Sequence, residues 1–158
     1  MNQFNRVIKE IESRITRIIK GVPDWQAHAR RLRSTPGIGS IVAAHLVEVL
    51  TRVPFKTGDA FIAHTGLDPR PNDSGQKHGR RHLTRHGDAA LRSMLFMAAM
   101  TAIQRGHWRA VYEQQVEKGL PSTAGLVVVA RKLARIAFNL FKSCGTYDPT
   151  LVGKAQGA

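Results

Sequence analysis

Ser74 is followed by Gly75 and then by Gln76 to His86, QKHGRRHLTRH, a window that holds Lys77, Arg80, Arg81, Arg85 and three histidines and no acid. A hydroxyl standing beside guanidinium groups suits attack on a phosphodiester: the oxygen forms the new ester while the cations offset the charge that develops on the phosphoryl oxygens. Lys77 or a histidine would take the proton. The same composition also describes a solvated basic loop that only holds DNA or RNA, and composition by itself favours that plainer reading.

Pro36-Gly37-Ile38-Gly39 is the second candidate. Two glycines allow a tight turn, with φ values closed to other residues, and leave amides exposed at the start of the next helix, where the dipole favours an anion. Gly37, Ile38 and Gly39 would then cradle a DNA phosphate, as in a helix-hairpin-helix whose packed apolar positions are Leu32 and Ile38. Such a contact positions nucleic acid without reading bases. A plain tight turn between two helices accounts for the same four residues.

Other chemistry finds less support. His78, His82 and His86 are four apart, yet Gly79 and Gly87 break a helix there, the neighbouring arginines repel a cation, and no carboxylate lies within the window, so no metal site is expected. Glu48, Asp59, Asp68, Asp73 and Asp88 are scattered singletons rather than a two-metal cluster. No GxxxxGK[ST] loop is present. Trp25, Trp108, Tyr112 and Tyr147 read as helix-packing residues rather than base-stacking platforms.

The elements that must position these residues are mostly helical. Apolar residues at Phe4, Val7, Ile8, Ile11, Ile15, Ile18 and Ile19 mark an amphipathic helix interrupted by Gly21, Pro23 and Asp24; the near-heptad spacing fits either a coiled-coil arm or a helix packed on its own domain. Helices follow over Trp25 to Arg33, Ile41 to Leu50 and Lys56 to His64, the last stopped at Gly66. Leu67 to His82, with two prolines and two glycines, is a loop or small hairpin. Asp88 to Gln104, Trp108 to Lys118 and Ser122 to Ser143 return to helix, with Ser122 as the expected N-cap. The fold class is therefore all-α: a compact helical domain with a helix-hairpin-helix-like turn and an irregular basic loop, preceded by a long amphipathic helix.

Among 158 residues, 24 Lys and Arg oppose 11 Asp and Glu, for a formal charge of +13. A partner that is a polyanion follows from that excess, and nucleic acid fits better than a small acidic substrate. The single Cys144 excludes an internal disulfide framework. No apolar stretch approaches the roughly 20 residues of a membrane helix, and the N-terminal sequence lacks a signal-peptide core, so a cytoplasmic protein without a membrane partner is expected.

The order of blocks LRSTPGIGSIVAAHLVEVL, FKTGDAFIAHTGLDPRPNDSG, LTRHGDAALRSMLFMAA, VVVARKLARIAFNLF and TYDP resembles the C-terminal transposase domain of the insertion-sequence family called IS-one-ten or IS-one-sixteen, which includes Piv-type DNA invertases. The resemblance runs from about Leu32 to Pro149. It implies a multimeric DNA recombinase whose nucleophilic serine falls on Ser74 and acts through a phosphoserine intermediate. It also implies an RNase-H-fold domain with a four-carboxylate metal site, expected to be missing from this chain. Magnesium is expected only with that domain, and no cofactor within the chain itself. In several family members a structured RNA from the element guides target choice. The implied organisation is a helical linker or coiled-coil arm over 1–31, the serine-bearing domain over 32–149, and a frayed tail over 150–158. By itself such a chain would bind nucleic acid without cutting it; the competing reading is a non-catalytic nucleic-acid-binding module.

Overall fold

The structure, a computed structural model, describes residues 3–70, 73–74, 77–78, 82–83, 86–104 and 106–151. Those residues form an all-α fold of seven α-helices with two very short antiparallel ladders.

Helix α1, Gln3–Gly21, leaves Phe4, Val7, Ile8, Ile11 and Ile18 of its apolar seam exposed, packs Ile19 against the core and buries no residue fully. Val22 turns into an extended conformation, and Pro23, whose missing N–H costs nothing in a first helical turn, opens α2, Pro23–Leu32, with Asp24 beside the positive helix end. Ala29 and Leu32 of α2 enter the core. The turn Arg33–Gly39 then leads to α3, Ser40–Arg52, whose Leu46, Val47 and Val49 are wholly buried.

Thr57 caps α4, Gly58–Thr65, by accepting a hydrogen bond from the Ala60 amide at 3.1 Å, and the helix ends at Gly66 in the left-handed region. Asp88 caps α5, Ala89–Ala102, accepting from the Leu91 amide at 2.9 Å. Helix α6, His107–Glu117, places Trp108 in the core.

Helix α7, Ser122–Ser143, is the central member and packs on α2, α3, α4, α5 and α6. Its buried stripe of Val129, Ala130, Leu133, Ala134, Ala137 and Phe138 alternates large and small residues, so that alanines admit neighbouring backbones while Leu133 fills the space between them. Each fully buried Leu or Phe contributes about 1.5–3 kcal/mol relative to exposure. Pro121, not Ser122, occupies the N-cap, and no side chain caps the helix; Ser122 is already its first residue. Trp108 is 1% exposed, while Trp25, Tyr112 and Tyr147 pack against the core, as their expected role requires.

Between α4 and α5 the chain is more ordered than an irregular loop. β1, Pro69–Arg70, pairs antiparallel with β4, His82–Leu83; β2, Asp73–Ser74, pairs antiparallel with β3, Lys77–His78. The nesting is that of one hairpin, the second of the two forms expected for this stretch. No described helix is long and apolar enough to cross a membrane.

Candidate nucleic-acid site

The turn before α3 is built by packing as much as by backbone freedom. Ile38 is buried, and its amide donates to the Thr35 carbonyl at 3.1 Å. Gly37 has φ +88, and a β-carbon there would collide with the Ala98 carbonyl and the Ala102 methyl of α5. That glycine is required by the close approach of α5. Gly39 differs: its φ of −81 is open to any residue, contrary to the expectation that both glycines adopt conformations closed to others, and nothing lies within 4 Å of where its β-carbon would stand. As N-cap of α3 it offers no side-chain acceptor, and the first turn of α3 carries no acid. The exposed face of Gly39 and the positive end of α3 can therefore receive an anion from outside.

Around this turn the fold gathers cations that spacing did not single out. Arg30, Arg33 and Lys20 line a shallow recess that reaches Ser40, the first residue of α3. Their signal was present in ARRLR, directly before the glycine turn, but only the packing of α1 on α2 brings Lys20 to them.

The hairpin carries the other candidates. Its register pairs Ser74 with Lys77 and Asp73 with His78 across the turn. His78 and His82 stand on different strands rather than on one helical face. Arg80, Arg81 and Arg85 lie outside the described residues. Among the described residues no three His, Cys, Asp or Glu come together as a metal-binding group.

Both feet of the hairpin are pinned to the same place. On the entering side, Thr65 Oγ1 donates to the Ile62 carbonyl at 2.6 Å and accepts from the Leu67 amide at 3.3 Å, and Leu67 is buried. On the leaving side, Gly87 at φ +124 abuts the His64 carbonyl, which also accepts from the Asp88 amide at 2.9 Å. Arg92 of α5 donates to the Thr65 carbonyl at 3.2 Å and ties the two sides together. The Leu91 amide, ahead of the fields of His45 and His64, holds the Asp88 carboxyl below its ordinary value. His45 Nε2 lies 3.7 Å from Asp88 Oδ2, an electrostatic contact too long for a hydrogen bond. These contacts hold the hairpin's base rigid, so its tip is presented from a fixed platform.

Comparison with known proteins agrees with this architecture. The chain is 28% identical over 77% of its length to a 44.8 kDa protein of insertion element IS116 from Streptomyces clavuligerus, covering 31% of that protein. It is 32% identical over 70% of its length to the transposase for insertion sequence element IS1328 of Yersinia enterocolitica, covering 34% of it. It is also 26% identical over 89% of its length to the pilin gene-inverting protein of Moraxella lacunata, covering 45% of it. The chain thus spans from 31% to 45% of these relatives' length. Residues 29–113, just over half of the chain and both candidate regions, match one family as a block. This chain belongs to the Transposase IS116/IS110/IS902 family.

Proposed function

We propose that this chain is the DNA-binding, serine-bearing part of a transposase or site-specific recombinase, in which Ser74 cuts and rejoins DNA in concert with an RNase-H-fold domain. The observation that carries the reading is the pinned hairpin, which pairs Ser74 with Lys77 at the tip of a fixed base, in a chain of the transposase family. The name of the Moraxella relative, a gene-inverting protein, points to the same class of reaction on DNA.

In this mechanism the Ser74 hydroxyl attacks a backbone phosphorus. A bond forms from Oγ to phosphorus, the ester bond to one deoxyribose oxygen breaks, and that oxygen leaves with a proton. The resulting phosphoserine ester conserves the bond energy. A deoxyribose hydroxyl of the exchanged strand then attacks it and releases Ser74, so rejoining needs no nucleotide triphosphate. Lys77 is the cation that register brings opposite Ser74, and Arg80, Arg81 and Arg85 follow in sequence as phosphate ligands. Gly37, Ile38 and Gly39 serve the flanking duplex, with Gly39 and the start of α3 meeting a phosphate while Gly37 fits the turn to α5. The described carboxylates and histidines form no metal group, so no step is routed through magnesium, which belongs with the partner domain's carboxylates.

The reading divides the chain into an arm over 1–31, the serine-bearing domain over 32–149 and a tail over 150–158. An element RNA joins the DNA as a partner, and the exposed seam of α1 joins copies of the chain into a homo-oligomer.

The decisive experiment combines the chain with an RNase-H-fold partner domain, magnesium and element-end DNA, with and without the element's RNA. A denaturant-resistant protein–DNA adduct on Ser74, absent in Ser74→Ala at near-normal DNA affinity, is the expected result. DNA bound by both folded partners without any adduct transfers the assignment to a non-catalytic binding module. Substituting Arg80 and Arg81 instead lowers the salt slope of binding by about 0.9 per lost duplex phosphate contact.

A further inference from the structure

A crevice of about 440 Å³ opens between α7 and the segment that follows it, with Ile62 of α4 in its wall. The segment folds back because Cys144 adopts the left-handed conformation at φ 56, directly after Ser143 ends the helix. It is then fastened: the Tyr147 amide donates to Ser34 Oγ at 2.9 Å, and the Tyr147 ring stacks on Trp108 with centroids 6.5 Å apart. This wall is therefore preformed.

The crevice combines two chemistries. Ile62, Ile136, Leu140 and Tyr147 give its lining an apolar share, and Asp148 adds one carboxylate at the fold-back segment. Arg131, Lys132 and Arg135 give it a cationic share. Arg135 is already paired with Asp59 of α4. Arg131 Nε is closed off from solvent and meets no acceptor among the described residues, an arrangement that costs free energy unless an acceptor arrives. Burial, and then the like charge of Arg135, weaken the hold of Arg131 on its proton against the opposing fields of Asp68 and Asp59, while burial and Lys118 do the same at Lys132. An anion entering here would relieve both.

A cavity of this size lies within the range of small-ligand sites, about 300–1,000 Å³. Inorganic phosphate would leave the apolar lining uncovered, and an uncharged ring would make no use of Arg131 and Lys132. Asn139, Ser143 and Thr146 on the rim supply the few donors and acceptors that a heterocycle's edge requires.

We infer that this crevice takes an unpaired nucleotide, with the base in the apolar slot beside Tyr147 and the phosphate against Arg131 and Lys132. Where the nucleotide belongs to a strand, this rests on the nucleic-acid reading above. The placement suits that role: Asp68, whose field reaches Arg131, is the residue directly before β1, so the crevice lies at the root of the hairpin that carries Ser74. A base withdrawn from the duplex there would hold the strand in place relative to the hairpin.

The test measures binding of the whole chain to a blunt duplex and to the same duplex with a short unpaired overhang, and titrates isotope-labelled chain with deoxyadenosine monophosphate and, separately, inorganic phosphate. Expected are about tenfold tighter binding of the overhang, the scale of one stacked base, and resonance shifts at Asn139, Thr146 and Tyr147 with the mononucleotide. Asn139→Trp, an exposed rim substitution that plugs the slot, returns overhang affinity to the blunt value and leaves blunt affinity unchanged. Arg131→Gln weakens the mononucleotide. Shifts without overhang preference identify a free mononucleotide as the occupant. Blunt and overhang bound equally without mononucleotide shifts, or identical shifts with phosphate alone, overturn the inference and leave the nucleic-acid reading standing. If neither duplex binds, that earlier reading fails, and the mononucleotide titration decides the crevice independently.

Discussion

Helices α1 and α7 carry the same signature in sequence and meet opposite fates. Both place apolar residues three and four apart with cations between them. Helix α7 lies at the centre of the fold, packed on five other helices, whereas α1 packs chiefly on α2 and α3 and leaves Phe4, Val7, Ile8, Ile11 and Ile18 exposed. The difference is in the small residues. Gly125, Ala130, Ala134 and Ala137 let neighbouring helices close on α7, while the seam of α1 is all Phe, Val and Ile, of which only Ile15 and Ile19 toward its C-terminal end are partly covered. Periodicity declares a helix and its apolar side. What covers that side is a separate matter.

The largest effect that sharpens the contrast is at Leu133. Truncation to Ala removes a wholly buried side chain from the middle of α7 and leaves a cavity that surrounding helices fill only in part, at a cost of about 2–5 kcal/mol. Denaturant unfolding reads this directly. A loss below about 1 kcal/mol would mean that α7 is not the centre of the core.

Next comes a pair of glycines. Gly37→Ala forces a β-carbon into the Ala98 carbonyl at a positive φ and is expected to cost about 1–3 kcal/mol. Gly39→Ala meets nothing and leaves stability within about 0.5 kcal/mol. On the proposed nucleic-acid reading it is the duplex affinity of Gly39→Ala that should fall, because the methyl would stand where a phosphate is proposed to approach. Equal stability losses at the two positions would erase the distinction.

These two glycines mark where sequence reasoning stopped. Helix positions and their stops were readable, because burial on one face imposes the period and because Pro23 and Gly66 act locally. The purpose of Gly37 was not, since the approach of α5 is a contact across some sixty residues of chain. Ser122 looked like a cap because it follows a proline, yet the backbone begins its helix one residue earlier than that pattern implies. The hairpin was half readable: glycines and prolines announced a turn, but the pairing of Ser74 with Lys77 depends on a ladder only two residues long. The role of Ser74 itself rests on its neighbours in sequence and on family resemblance, and Arg80, Arg81 and Arg85 on composition.

A smaller effect lies where α2 meets α7. His28 stacks on Phe141 at 4.1 Å, and burial first, then Arg31, hold it below its ordinary value, with Asp24 opposing. A histidine lowered in the folded state contributes stability that is full above the ordinary unfolded value of about 6.5 and is lost as pH falls from there toward the lowered one. The melting temperature should fall between pH 7.5 and 5.5, and His28→Phe should fall less. Identical declines would show that the stack does not couple protonation to folding.

The smallest change in monomer stability is expected on α1. Ile8 and Ile11 are both about half exposed, so replacing them with Glu removes little from the core. The adjacent residues Lys9, Glu10 and Glu12 are already charged and exposed, and Arg14 pairs with Glu10 across one turn at 2.8 Å, so the helix keeps its local supports. Unfolding free energy should stay within about 0.5 kcal/mol. If the seam joins two copies, however, the same substitutions place like charges face to face, and sedimentation should change from an oligomer in the parent to a monomer in the double variant. A parent that sediments as a monomer at high concentration removes the oligomer. A large stability loss in the variant would instead mean that α1 is covered within its own chain, and the contrast with α7 would collapse.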